Sequence, residues 1–133
     1  MAYVWAYVGA GAVFLVLDLL WLGVIARDFY HGQIGPLLRQ PFNPAAAAVF
    51  YLLYLGGVLF FAMAPALAAQ SLKTAALYGA LLGLFAYGTY DLTNLATLKG
   101  WTVPLVVADM LWGALLTALA SVAGVASARL LAG

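Results

Sequence analysis

The chain has 133 residues, of which 68% are hydrophobic and 7% charged, with a formal net charge of +1 and no cysteine. A soluble domain carries about a quarter charged residues, so this composition asks for lipid rather than water as its solvent. Five basic and four acidic side chains scattered along the chain exclude a basic face for nucleic acid or anionic lipid. The missing thiols exclude disulfides, thiolate catalysis and cysteine metal ligands.

A membrane-crossing helix needs about 20 mostly apolar residues, and four such runs follow one another. The first covers 3–26. Its start, Met1-Ala2-Tyr3-Val4-Trp5, has no Lys or Arg and the apolar run outlasts a signal-peptide core, so it reads as a retained helix. Residues 27–43 form a polar connection with His31, Gly32, Gly35, Pro36, Arg39 and Pro41. Asn43-Pro44 predicts a helix start, with Asn capping and Pro in the first turn, and a second span over 44–69 with Pro65 near its end. Gln70-Ser71-Leu72-Lys73 is a tight turn. The third span, 74–98, closes at Lys99-Gly100, a cation and a glycine that suit a helix end. Trp101-Thr102 sits at the interface and the fourth span covers 103–131.

None of these runs alternates with the period of a membrane barrel strand. The expectation is one all-α domain, a polytopic four-transmembrane-helix bundle. Arg27, Arg39 and Lys99 fall on one side and Lys73 and Arg129 on the other, too small a bias to orient it. Gly79 and Gly83 have the spacing that lets helix backbones approach; that is close packing inside the bundle, or the face of a homodimer. Membrane lipids are the expected surroundings, and a soluble partner is not expected.

The acids carry the functional signal. Asp18 lies nine residues before Arg27, Asp91 eight before Lys99 and Asp109 eight after Trp101, and all three boundaries lie on one side. At 1.5 Å per residue each acid is roughly 12–14 Å along its helix from that boundary, so three helices bring carboxyls to one depth. Each intramembrane acid costs about 2.5–3.5 kcal/mol on insertion scales and by default marks a functional site; a hydrogen-bonded knot fixing helix register is the structural alternative. Tyr87, Asp91 and Asn94 share one face of the third helix with Gly88, and Thr93 and Thr97 lie a little around it. Trp21 falls beside Asp18, and Trp112 with Gly113 beside Asp109, with Thr117 deeper; indole and phenol donors satisfy carboxylates from an apolar body. Carboxyls this close cannot all ionise in low dielectric, so at least one is expected protonated near neutral pH with coupled titration. Apart from Arg129 at the far end of the fourth span, no Lys or Arg sits within the spans to neutralise them, and His31, Arg39 and Lys99 are placed to cover the mouth. With one histidine, no glutamate and no glycine-rich phosphate loop, neither a metal motif nor a cofactor signature is present.

Asp18-Leu19-Leu20-Trp21-Leu22-Gly23 is echoed by Asp91-Leu92-Thr93-Asn94-Leu95-Ala96, each followed by a basic residue, an aromatic, and a helix opening at Pro44 or Pro104. The echo suggests two parallel helical hairpins, a layout seen in small transporters.

Three stretches carry a family resemblance: Asn43 with Phe50-Tyr51-Leu52-Leu53-Tyr54, the string from Tyr90-Asp91-Leu92-Thr93-Asn94 to Trp101, and Asp109-Met110-Leu111-Trp112-Gly113. In these the chain resembles a bacterial family of predicted membrane proteins, domain of unknown function 2177. The resemblance implies little more than a helical bundle of this length and no particular chemistry. On the residues alone, proton- or cation-linked transport through Asp18, Asp91 and Asp109 leads. A lipid-binding protein or membrane enzyme with an aspartic acid as general acid or base follows, and an accessory subunit of a larger membrane complex is third.

Overall fold

In the computed structural model, residues 1–39 and 41–133 are described, and every regular element among them is helical. The first rod is α1 (Ala2–Leu20), continued by a widened turn over Trp21–Ile25. A short helix, α2 (Arg27–Ile34), follows, and then a tight 3-10 turn over Gly35–Leu37. The second rod is α3 (Pro44–Val58), another widened turn at Leu59–Met63, and α4 (Ala64–Ala69). The remaining rods are α5 (Leu72–Thr97) and α6 (Val103–Leu131).

Local chemistry sets these boundaries. The Asn43 side chain accepts from the Ala46 N–H at 3.2 Å with Pro44 in the first turn, as the Asn-Pro pair predicts. Ser71 caps α5 by accepting from the Thr74 N–H at 3.0 Å, so that helix begins at Leu72, two residues earlier than the sequence suggests. Gln70 alone bridges α4 to that cap, in a left-handed conformation (φ 50°). Thr102 caps α6.

Three rods are long and apolar enough to cross a membrane: Ala2–Ile25, Pro44–Ala69 and Val103–Leu131. The fourth rod, α5, has the length but not the hydropathy, because Lys73, Thr89, Asp91, Thr93 and Asn94 dilute its apolar run. The connection expected to be irregular contains α2. Its helix arises from Ala26, Tyr30 and Ile34, four apart, which turn inward while Arg27, Asp28, Phe29 and His31 stay exposed.

α6 is central. It packs along α5 and α1 and meets the second rod at Leu59–Met63. Its inward stripe of Leu105, Asp109, Gly113, Thr117 and Ser121 repeats every four residues, and so do Ala6, Ala10, Phe14 and Asp18 of α1. Small residues permit the contact: a Cβ on Gly83 would stand 2.2 Å from the Gly113 carbonyl oxygen, and one on Gly79 2.8 Å from that of Thr117. The Gly79–Gly83 pair is therefore taken up inside the chain by α6. Outward, Val8, Leu15, Leu53, Phe60, Phe61, Phe85 and Leu111 are exposed, an apolar coat suited to lipid.

The two halves matched in sequence differ in local geometry. After Asp18 the helix widens and turns into α2, whereas after Asp91 it continues regularly to Thr97.

Candidate functional site

Each acid lies on an inward stripe, and so all three reach the interior: Asp18 and Asp109 are 6% and 8% exposed, and Asp91 is fully buried. They line one cavity of about 450 Å³ enclosed by α1, α2, α3, α5 and α6. Their surroundings there divide them into two kinds.

Asp18 and Asp109 are held. Asp18 accepts from the Tyr51 hydroxyl at 2.6 Å and from the Trp112 indole N–H at 3.2 Å. Asp109 accepts from the Tyr30 hydroxyl at 2.5 Å, and Tyr30 in turn accepts from the Trp21 N–H at 3.1 Å. The Trp21 and Trp112 rings stack, centroids 4.5 Å apart and 9° from parallel, which joins the two clusters into one network across α1, α2, α3 and α6. In α2, outside the spans, burial and then the bond to Asp109 push the Tyr30 phenol far above its usual range, so it stays a donor.

Asp91 is different. Neither carboxyl oxygen has a hydrogen-bond partner, and neither does the buried indole N–H of Trp101. Both residues line the cavity. Asp109 and Trp101 are the polar neighbours of the Asp91 carboxyl, but neither stands at hydrogen-bonding geometry to it. A buried polar group left unmatched costs about 1–3 kcal/mol, and ligand sites are where such groups persist.

The other predicted residues scatter. Tyr87 lines the cavity, its ring lying flat on Gly113, where a Cβ would come within 2.2 Å of it. Trp21 and Trp112 stand behind the acids as donors and are not part of the wall. Asn94 and Thr97 do not line the cavity, and the Thr97 hydroxyl donates to the Thr93 carbonyl at 2.8 Å. His31, Arg39 and Lys99 are exposed and leave the mouth to Tyr30, Ile34 and Leu38. No Lys, Arg or His is part of the wall. Among the described residues no group of three His, Cys, Asp or Glu side chains is placed to hold a metal ion.

Tyr30, Tyr51, Tyr90 and Trp101 are the site residues that sequence reasoning passed over. Tyr51 had a signal, since Tyr51, Leu55 and Val58 form the inward face of α3. Tyr30 had one in its four-residue spacing from Ile34.

Below the acids the interior is dry. Phe14, Val58, Met63, Leu116 and Val125 are fully buried. The hydroxyls there are spent: Tyr54 pairs with Thr117 at 2.8 Å, and Ser121 donates to the Thr117 carbonyl at 2.7 Å. Of the lining residues, Leu22, Phe50 and Tyr90 are 43%, 46% and 55% exposed. α5 meets the second rod at Leu59–Met63 and α4, while α3 packs on α1.

Such a fold and site define a helical membrane protein with an acid-lined cavity between its rods. A family model described as Predicted membrane protein (DUF2177) matches residues 3–126, and the chain belongs to that family. Neither the curated proteins nor the solved structures yield a match.

Proposed function

We propose that the protein is a four-span, multi-pass protein of the bacterial cell membrane that binds a lipid-like ligand, taken up sideways between α3 and α5, with its polar end at Asp91. The observation that carries this reading is a cavity that sets three acids into a largely apolar wall, with Phe50 of α3 and Tyr90 of α5 both lining it and exposed on the outside of the bundle. Its volume of about 450 Å³ lies in the range of small-molecule sites.

α5 counts as the fourth span because its polarity is largely satisfied internally. Thr89, Thr93 and Thr97 donate to the carbonyls of Phe85, Thr89 and Thr93, and Asp91 faces inward. Twenty-six residues reach roughly 39 Å at 1.5 Å each, beyond the ~30 Å of a hydrocarbon core.

Transport, the leading expectation from sequence, needs a polar route to the far face. The dry core of Phe14, Met63 and Leu116 favours binding over permeation. A membrane enzyme remains within the proposal, with Asp91 as the acid or base that meets the ligand's polar group.

Purification in a mild non-ionic detergent, followed by extraction and mass spectrometry, tests the reading. A near-stoichiometric apolar ligand is expected, and it should be lost from Ala47→Trp, which fills the α3 wall of the cavity. Equal ligand content in the folded variant, or proton- or cation-dependent flux in proteoliposomes above empty vesicles, would overturn it.

A further inference from the structure

The unpartnered groups around Asp91 identify the kind of headgroup the cavity takes. At that end the wall presents the two Asp91 carboxyl oxygens and the Trp101 indole N–H, all buried and unmatched. Tyr90 packs edge-on against Trp101, centroids 5.5 Å apart, and holds that indole in place. A ligand satisfying this set must offer hydrogen-bond donors and an acceptor within a few ångströms of each other.

An ammonium group supplies donors but no acceptor, so the Trp101 N–H would stay unmatched and face a cation. A phosphate or carboxylate supplies acceptors only, and it would meet Asp91 and Asp109 with no Lys, Arg or His in the wall to offset the repulsion. A hydroxyl does both tasks, because its O–H donates to a carboxyl oxygen while its own oxygen accepts from the indole. Two adjacent hydroxyls complete the count, one for each Asp91 oxygen, since a hydroxyl donates to an unprotonated oxygen and accepts from a protonated one.

We infer that the cavity binds an uncharged amphiphile with a hydroxyl headgroup, most fully a vicinal diol on a single alkyl chain, seated between Asp91 and Trp101 with its chain leaving between Phe50 and Tyr90. The inference rests on the cavity being a ligand site, as proposed above, and specifies its ligand. Asp18 takes no direct part, since Tyr51 and Trp112 already donate to both of its oxygens, and Asp109 has one oxygen held by Tyr30.

Four probes that share one saturated C14 chain test it: the 1,2-diol, the primary alcohol, the primary ammonium and the phosphate monoester. Binding to purified protein in nanodiscs is read by native mass spectrometry and by tryptophan fluorescence. The expected order is diol, then alcohol, then ammonium, with no retained phosphate. Trp101→Phe keeps an aromatic against Tyr90 and deletes only the donor; it should weaken diol and alcohol by roughly fivefold, the worth of one neutral hydrogen bond, and leave ammonium unchanged. A general structural loss would lower all probes alike. Ammonium or phosphate binding as tightly as the diol, or an equal loss of diol and ammonium in Trp101→Phe, overturns the headgroup assignment while leaving a lipid-ligand cavity standing. Retention of none of the four overturns both.

Discussion

Asp91→Leu should make the ligand-free protein more stable, an unusual sign for a fully buried residue. The wild-type carboxyl has no partner on either oxygen, so removing it relieves an unmatched burial of about 1–3 kcal/mol. The side chain borders a cavity of about 450 Å³, so the extra methyl volume meets open space and overpacking is avoided. Asp18→Leu is the control in the same cavity wall and should go the other way. It strands the Tyr51 hydroxyl and the Trp112 indole and should cost about 2–4 kcal/mol if each orphaned donor costs 1–2. Reversible unfolding by SDS titration in mixed micelles, on delipidated protein, reads both changes. Loss of stability in Asp91→Leu comparable to that in Asp18→Leu would refute the division of the acids into held and free.

Three further outcomes follow from the same contacts. Gly83→Ala should lose about 1–3 kcal/mol in the same titration, because its Cβ would meet the Gly113 backbone at 2.2 Å and α5 and α6 would have to separate. Gln70→Gly should gain about 0.5–1 kcal/mol, because the residue sits at φ 50° with no glycine to relax it. Tyr30→Phe should cost about 1–3 kcal/mol by leaving Asp109 without its donor, and the cost should depend on pH. The folded phenol titrates above the unfolded one, so Tyr30's contribution is complete below about pH 10 and declines as pH rises beyond it. The gap between wild type and Tyr30→Phe should then narrow above pH 10 and stay constant below; a gap that narrows between pH 6 and 9 would contradict this.

Features written in neighbouring residues were legible in the sequence. The Asn43-Pro44 start and the three most apolar runs each depend on a few adjacent positions, and the structure has them. A count of residues along each helix sets the three acids at one level, and the structure has all three lining one cavity. What the acids touch was not legible. Tyr51 and Asp18 are 33 positions apart, Tyr30 and Asp109 are 79, and Trp112 and Asp18 are 94; periodicity within one helix carries no information about such pairs. Same-face reasoning placed Trp112 with its own helix neighbour Asp109, yet its N–H crosses to Asp18. Exposed cations were assigned the mouth because charge stands out in an apolar sequence, but the residues that cover it are Ile34 and Leu38, which look like any other apolar positions.

The two partnered acids explain how the third can be tolerated. Asp18 and Asp109, with Tyr51, Trp112, Tyr30 and Trp21, tie α1, α2, α3 and α6 together, and α5 is locked to α6 by close glycine contacts that involve no carboxyl. Asp91 is therefore unnecessary for joining its helix to the others. A buried carboxyl that contributes nothing to assembly and costs stability has its rationale in what enters the cavity. The tyrosines on the other two acids keep that rationale specific, because they leave Asp91 as the one acid of the three with no donor, beside an indole N–H that is likewise unmatched.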